Sequence, residues 1–184
     1  MTAQVFNFGS INIDHVYRVP HFVQPGETLA SKSLSTVLGG KGANQSVAIA
    51  RAGGSVNHIG SVSQSDSWAV QLLAESGVSI EHISLTDQAS GHAIIQVDDN
   101  GENAIVLHGG VNQKITYAQL QRALSLVEPG DYLLLQNECN RLRYAIEEGL
   151  SKDMKVVLNP APMSENIKEL PLDKLDTLIV NEIE

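Results

Sequence analysis

Short apolar runs that end in glycine or in polar residues recur along the chain and predict buried β-strands. They are residues 5–10, 57–62, 132–136, 155–159 and 177–180. Each run is only about five residues long, which is the length of a strand and not of a helix. The pattern therefore predicts a core sheet whose strands come from the whole length of the chain.

Segments with apolar residues at helical spacing alternate with these runs. Four helices are predicted, within residues 43–51, 66–76, 116–128 and 141–150. Ser65 or Asp66 can cap the second helix, and Thr116 with Gln119 matches a capping box at the start of the third. Gly53-Gly54, Gly77 and Pro129-Gly130 supply stop signals. Strands that alternate with helices indicate an α/β fold, a parallel sheet with helices on its faces.

Two β-rich segments interrupt this alternation. In residues 15–37, Pro20 and Pro25-Gly26 break the chain into short strands and turns. In residues 91–108, two strand-like runs flank Asp98-Asp99-Asn100-Gly101, a strong hairpin signal because Asn-Gly tolerates positive φ. We expect these segments to form a smaller β-structure attached to the α/β domain.

Composition narrows the classes of partner. The formal net charge of −9 argues against nucleic acid and anionic membranes, since both require a basic surface. No run of about 18 apolar residues is present, so no membrane span is predicted. The first residues lack the pattern of a signal peptide, and Cys139 is the only cysteine. Both features favour a cytoplasmic location.

A glycine-rich stretch, Gly39-Gly40-Lys41-Gly42-Ala43-Asn44, leads into the first predicted helix. Glycine allows close approach of a ligand, and a helix start offers unpaired N–H groups to oxygen-rich molecules. The stretch matches neither the P-loop nor the dinucleotide fingerprint, because Gly42 follows Lys41 where Ser or Thr is needed and Gln45 replaces the third glycine. It could bind a polyol or a phosphate, or it could be a purely structural turn.

Polar residues also stand just after predicted strands. Ligands of α/β sheets bind beyond the carboxyl ends of the strands, a rule that selects residues 10–12, Glu138 and Asn181. Asn12 and Asp14, two residues apart in an extended segment, point the same way and could bind neighbouring hydroxyls of one ligand. Asn and Asp are also common in turns, so a structural role stays open for this pair.

Three motifs taken together resemble the N-terminal part of the ribokinase/fructokinase/adenosine kinase family of sugar kinases. They are Gly9-Ser10-Ile11-Asn12-Ile13-Asp14, Pro25-Gly26-Glu27-Thr28 and Gly39-Gly40-Lys41-Gly42-Ala43-Asn44. Further matches are Gly101-Glu102-Asn103, Glu138, Asn159-Pro160-Ala161-Pro162 and Asn181-Glu182-Ile183-Glu184. The similarity extends over all 184 residues, and its motifs are closest to those of the ribokinase branch.

The resemblance implies a doubly wound, mostly parallel sheet with a small β-sheet lid formed by residues 15–37 and 91–108. It implies an ATP-dependent kinase that phosphorylates a sugar, D-ribose at O5 in the first instance, with Mg²⁺ and a monovalent cation such as K⁺. It also implies roles for individual residues. The sugar would be held by Asn12, Asp14, Gly40, Lys41, Asn44 and Glu138. Asn181 would lie by the nucleotide phosphates, Glu184 would hold Mg²⁺ through water, and the lids of two copies would pair as a homodimer.

One expected motif of the family does not occur in these residues. The resemblance implies a Gly-Ala-Gly-Asp-type segment that supplies the catalytic base and an anion hole, and no Gly-x-Gly-Asp is found in the sequence. Two interpretations follow. Either this is the N-terminal part of a sugar kinase whose remaining part is missing, which we favour, or it is a non-catalytic sugar-binding or interaction protein derived from one.

Overall fold

A computed structural model describes residues 3–182 as an α/β fold with two sheets. Its strands, in chain order, are β1 Val5–Phe8, β2 Asn12–Arg18, β3 Ser33–Gly39, β4 Val56–Ser63, β5 Ser79–Thr86, β6 Gly91–Val97, β7 Asn103–His108, β8 Tyr132–Gln136, β9 Lys155–Asn159 and β10 Thr177–Leu178. Its helices are α1 Lys41–Arg51, α2 Ser67–Glu75, α3 Tyr117–Leu124 and α4 Leu142–Ser151.

The larger sheet has six parallel strands in the order β10-β9-β8-β1-β4-β5. Phe6 and Phe8 of β1 pack in an apolar cluster that includes residues of α3 and α4. Val56 and Val62 of β4 belong to a second cluster with residues of α1 and α2. Successive side chains of a strand point to opposite faces, so the two clusters lie on the two sides of the sheet. The predicted doubly wound fold is confirmed.

The strand order places a topological switch at β1. The chain first builds the sheet on one side of β1, through β4 and β5, and later on the other side, through β8, β9 and β10. Connections that leave in opposite directions open a crevice beyond the carboxyl ends of the strands, where such folds bind ligands. Residues 9–12 and 137–139 follow β1 and β8 at this crevice.

The smaller sheet has four strands in the order β3-β2-β6-β7. Strand β2 is parallel to β6, while the β2–β3 and β6–β7 pairs are antiparallel. Strands β6 and β7 form the predicted hairpin, in which Gly101 takes a φ of +84° and the Asp98 carboxylate accepts hydrogen bonds from the N–H groups of Asn100 and Glu102. Strand β2 begins at Asn12, so Asn12 and Asp14 belong to this sheet and not to a loop after β1.

Several local expectations are corrected by the structure. Strand β5 is not predicted by the sequence pattern, and α3 ends at Leu124, before the stop signal at 129–130. Only half of the capping box forms. The Thr116 hydroxyl accepts from the Gln119 N–H, but the Gln119 amide donates to the Gly60 carbonyl at 2.7 Å, because that buried carbonyl needs a donor. Asp66 stands at the cap position of α2, where its carboxylate accepts from Ser90 Oγ and caps no N–H.

Within residues 3–182, no helix has both the length and the apolar character that crossing a lipid bilayer requires.

Candidate functional site

All six residues predicted to hold a sugar line one cavity. The cavity has a volume of about 190 Å³ and lies between the smaller sheet and the start of α1. Its polar wall consists of Asn12, Asp14, Gly40, Lys41, Asn44 and Glu138. The structure thus brings together residues from β2, from the start of α1 and from the loop after β8. This clustering follows from the topological switch, which puts β1 beside β8.

Glu138 occupies the N-terminus of α1. Its Oε2 accepts a hydrogen bond from the Lys41 main-chain N–H at 3.0 Å and another from Ser10 Oγ, and its Oε1 lies 2.8 Å from Lys41 Nζ. The Glu138 side chain is only 6% exposed, whereas that of Lys41 is 40% exposed. A carboxylate is favoured at this end of a helix by the dipole and by the unpaired N–H groups. The Glu138 carboxylate therefore already neutralises the positive charge at the first turn of α1. This favours an uncharged ligand there over a phosphate.

Glycines let the chain pass close to this site. Gly40 has a φ of +94°, a conformation that favours glycine. A Cβ on Gly42 would lie 2.5 Å from the Gly9 carbonyl carbon and from the Ser10 nitrogen, so α1 can approach the end of β1 only without a side chain here. The main-chain N–H of Ala43 then donates to the Ser10 carbonyl at 2.9 Å. The glycine-rich stretch thus joins α1 to β1 and shapes one wall of the cavity.

Asp14 presents an unneutralised carboxylate to the cavity. Within residues 3–182, no hydrogen bond or salt bridge reaches it. Burial raises the pKa of the Asp14 carboxyl above its usual value, and the nearby Glu138 carboxylate raises this pKa further, while His15 and Lys41 oppose the shift. A carboxylate that is partly desolvated and unpaired is a strong acceptor for ligand hydroxyls.

The Asn12 side chain is hydrogen-bonded by Asn112, a residue that the sequence did not indicate. Asn12 Oδ1 accepts a hydrogen bond from Asn112 Nδ2 at 2.8 Å. Asn112 is buried in a 3₁₀ turn, Gly110–Gln113, that follows β7. The next residue, Gln113, donates from Nε2 to the Glu138 carbonyl at 2.7 Å. No sequence signal marks these residues, because their partners are distant in the chain.

The apolar wall of the cavity comes from the hairpin of the smaller sheet. Ala93 and Ile95 of β6 and Ile105 and Leu107 of β7 line it together with Asn12 and Asp14. In the register Ala93 pairs with Leu107 and Ile95 with Ile105, so the four side chains share one face. The hairpin turn at 98–101 predicts this register, and strand alternation would have identified the four residues.

A buried polar network supports α1 from below. Asn7 Nδ2 donates to the Gly42 carbonyl and to Ser46 Oγ, both at 2.8 Å, and Gln136 Nε2 donates to Asn7 Oδ1 at 2.8 Å. The Ser46 hydroxyl also bonds His58 Nδ1 at 2.8 Å. Burial lowers the pKa of the His58 imidazole to about 4, so this ring is neutral near pH 7. The network fixes the position of α1 relative to β1, β4 and β8.

Of the two residues expected at the nucleotide, Asn181 is among the described residues and does not line the cavity. Asn181 is exposed beyond the end of β10. Strand β10 is two strands from β8, or about 10 Å at the usual spacing of strands. Asn181 is therefore at the same edge of the sheet as the cavity without lining it. Glu184 falls outside residues 3–182, so its predicted role is not addressed by the structure.

Comparison with known proteins agrees with this architecture. The ribokinase of Haemophilus influenzae is 38% identical over 182 residues, which are 96% of this chain and 59% of that protein. Ribokinase from Cryptococcus neoformans var. grubii serotype A, solved in complex with ADP, is 36% identical with a TM-score of 0.87 and is matched over 60% of its length. Arabidopsis thaliana ribokinase complexed with ribose and ATP is 26% identical with a TM-score of 0.77.

The chain spans about three fifths of the length of these relatives, since it covers 59%, 60% and 61% of them, respectively. The model of the pfkB family of carbohydrate kinases matches residues 2–184. The chain therefore belongs to the pfkB family of carbohydrate kinases.

Proposed function

We propose that the chain carries the sugar-binding site of an ATP-dependent sugar kinase, with D-ribose, phosphorylated at O5, as the first candidate substrate. One observation carries the proposal: the residues that the family resemblance assigns to the sugar all line one cavity at the topological switch point. The volume of about 190 Å³ corresponds to about six water molecules. That is suitable for one small polyol.

The chemistry of the cavity suits a polyol better than an anion. The Asp14 carboxylate accepts hydrogen bonds from hydroxyls, and the Lys41 ammonium and the Asn12 amide can donate to them. The Ile95 and Leu107 side chains offer an apolar surface to the C–H face of a sugar ring. The Glu138 carboxylate offsets the Lys41 charge, so the site as a whole does not select for phosphate.

The smaller sheet acts as a lid in this proposal, formed by residues 15–37 and 91–108 together with the adjoining ends of β2 and β3. Closure of such a sheet over the sugar would exclude water from the site. Phosphoryl transfer to the sugar requires this exclusion, because water competes with the sugar hydroxyl as acceptor. The catalytic contributions of a kinase are mainly positioning and charge stabilisation. Residues of the cavity supply the positioning of the sugar.

ATP is the phosphoryl donor in this proposal, as the ADP and ATP in two related structures suggest. We assign Asn181 to the phosphates and Glu184 to Mg²⁺ through water, and a monovalent cation such as K⁺ is also expected from the resemblance. No Gly-x-Gly-Asp segment occurs in the 184 residues. We therefore expect the chain by itself to bind sugar without phosphorylating it. A cytoplasmic location stays a prediction from the single cysteine.

A homodimer formed through the lids is the assembly that we propose. Strands β3 and β7 are the edges of the smaller sheet, and apolar residues on it are exposed, among them Leu34, Ile94 and Val106 at 53%, 43% and 68%. Free strand edges and exposed apolar side chains favour pairing with a second copy. Light scattering of the purified chain should give twice the monomer mass, and Val106→Asp should shift it to the monomer. A monomeric wild-type chain would contradict this assembly.

Calorimetry on the purified 184-residue chain tests the proposed function. Titration with ribose, deoxyribose, fructose and adenosine should give saturable binding, tightest for ribose. Phosphate transfer from ATP is measured in parallel. Sugar binding without transfer by this chain is the expected result. Absence of binding for all four compounds would overturn the proposal, and transfer by this chain would show that the catalytic base lies within these residues.

A further inference from the structure

Asn112 uses both amide hydrogens and its amide oxygen on two neighbours. Its Oδ1 accepts from the Ile11 N–H at 3.1 Å, and its Nδ2 donates to the Ile11 carbonyl at 3.2 Å and to Asn12 Oδ1 at 2.8 Å. Asn112 is 1% exposed, so no solvent substitutes for these partners. The side chain therefore bonds the main chain of one residue and the side chain of the next.

The main chain of Ile11 determines which way the Asn112 amide points. The two ends of an amide look alike in shape, but an N–H can only donate and a carbonyl can only accept. Reversal of the Asn112 amide would place two donors together at the Ile11 nitrogen and two acceptors together at the Ile11 oxygen. Asn112 must therefore donate an N–H to Asn12, and Asn12 must accept it with Oδ1.

We infer that Asn112 is a positioning residue that fixes the Asn12 amide with Nδ2 directed at the sugar cavity. Within residues 3–182, Asn12 Nδ2 has no hydrogen-bond partner, while Asn12 lines the cavity. Asp14, next on the same face of β2, can only accept. A sugar hydroxyl that donates its single proton to Asp14 has only lone pairs left for Asn12, so Asn12 must act as a donor.

Close packing around the pair supports this role. A Cβ on Gly91 of β6 would overlap both Asn112 Nδ2 and Asn12 Oδ1, so the two amides meet in space that only a glycine leaves open. Gln113, the next residue of the turn, bonds the Glu138 carbonyl. The turn 110–113 thus contacts the Asn12 wall and the Glu138 wall of the same cavity.

The inference rests on sugar binding at this site, and Asn112→Asp tests it. The new carboxylate still accepts from the Ile11 N–H but has no hydrogen for Asn12, so the Asn12 amide reverses and shows its oxygen to the sugar. We expect sugar affinity in calorimetry to fall about tenfold, because one donor is replaced by an acceptor. An affinity within about twofold of the wild type would overturn the inference.

Asn140→Asp is the matched control. Asn140 makes the same pair of bonds to the main chain of Ile115, with Oδ1 accepting from N–H and Nδ2 donating to the carbonyl, both at 3.1 Å. It holds no side chain of the cavity. Asn140→Asp loses the corresponding bond to a main-chain carbonyl at a half-buried position, and it keeps the bond of its own main-chain N–H to the Asn112 carbonyl. It should leave sugar affinity within about twofold of the wild type. An equal loss in both variants would mean that Asn112 acts only on the fold.

A double-mutant cycle separates positioning from structure. If Asn112 acts through Asn12, then Asn112→Asp should change sugar affinity little in an Asn12→Ala background. The same loss of about tenfold in that background would overturn the inference. If Asn112→Asp does not fold, Asn12→Asp replaces it. That variant still accepts from Asn112 but offers only oxygen to the sugar, and it should lose affinity about tenfold. Wild-type affinity of Asn12→Asp would overturn the inference equally.

A second measurement does not depend on a sugar. In the ¹H–¹⁵N spectrum of the chain without ligand, Asn112→Asp should move the Asn12 NH₂ protons downfield, since Nδ2 then donates to a carboxylate. Asn140→Asp should leave them in place, and an unchanged Asn12 signal in Asn112→Asp would overturn the inference. Absence of sugar binding by the wild type would count against the proposed function alone, because this spectrum still decides the role of Asn112.

Discussion

Lys41 and Glu138 are 97 positions apart in the sequence, yet they share two contacts at the start of α1. The Lys41 main-chain N–H donates to Glu138 Oε2 at 3.0 Å, and Lys41 Nζ lies 2.8 Å from Oε1. Lys41 thus provides both a main-chain N–H at the helix start and a side-chain cation to the same buried carboxylate. The pair closes the polar wall of the cavity.

Substitution of Lys41 and substitution of Glu138 should lower the free energy of unfolding by different amounts. Lys41→Met leaves a nearly buried carboxylate without its cation, and we expect it to lower the free energy of unfolding by about 3 kcal/mol. Glu138→Gln leaves a cation that is 40% exposed and can reach water, so about 1–2 kcal/mol is expected. Urea denaturation measures both variants. The exposed pair Lys168–Glu165 is the control, and Lys168→Met should cost less than about 0.5 kcal/mol. Equal costs for Lys41→Met and Lys168→Met would contradict the assignment.

Asp14 should show opposite effects on binding and on stability. We expect Asp14→Asn to lower sugar affinity by about tenfold or more, because hydrogen bonds to a charged acceptor contribute about 1.5–3 kcal/mol each. The same variant should raise the melting temperature at about pH 7, since burial and Glu138 disfavour the Asp14 charge. Calorimetry and thermal denaturation provide the two measurements.

The size of this stability effect depends on pH. Because the pKa of Asp14 is raised in the folded state, the folded chain binds this proton more tightly than the unfolded chain does. Ionisation therefore costs stability at pH values above the raised pKa, and the cost disappears as the pH falls below the unfolded pKa. The advantage of Asp14→Asn should narrow in acid. Asp173→Asn, at an exposed position, should change neither property. If Asp14→Asn were less stable than the wild type at neutral pH, the Asp14 charge would not be disfavoured in the folded state.

His58 should make the fold sensitive to mild acid. The pKa of His58 is about 4 in the folded chain and near 6.5 when unfolded, so the unfolded state binds the extra proton between these values. Stability is then lost as the pH falls from 6.5 to about 4, by about 3 kcal/mol from this residue. Chemical denaturation at several pH values gives the free energy of unfolding as a function of pH. The slope of this function should be smaller for His58→Gln than for the wild type. His108→Gln, at an exposed residue of β7, should keep the wild-type slope. Identical slopes for the wild type and His58→Gln would refute the prediction.

Two glycines near α1 should tolerate alanine to different extents. Alanine favours helices, but a Cβ on Gly42 would meet the main chain of Gly9 and Ser10 at 2.5 Å, so Gly42→Ala should cost more than about 3 kcal/mol. A Cβ on Gly53 would enter open space, but the φ of this residue is +85°, so Gly53→Ala should cost about 1–2 kcal/mol. Denaturation midpoints compare the two. A larger cost at Gly53 would mean that backbone conformation, not space, limits this helix.

Much of the fold follows from local patterns. Strands β8 and β9 coincide with the predicted runs 132–136 and 155–159, because a short apolar run between polar residues has few other stable solutions. Strand β5 escapes prediction since its residues, Ser79–Thr86, alternate weakly and are only half-buried at one edge of the sheet. The six residues predicted to hold the sugar follow from the family resemblance, and the rule for carboxyl ends of parallel strands selects two of them, Asn12 and Glu138.

The sequence by itself determined the alternation of strands and helices, the glycine-rich approach to α1 and the hairpin at 98–101. These features depend on neighbours within a few positions, where periodicity and backbone preference act directly. Only the tertiary structure decided that β1 lies between β4 and β8, that Glu138 neutralises Lys41, and that Asn112 orients Asn12. Those contacts join residues far apart in the chain, and their hydrogen bonds form only once packing of the core has removed water and brought the partners together.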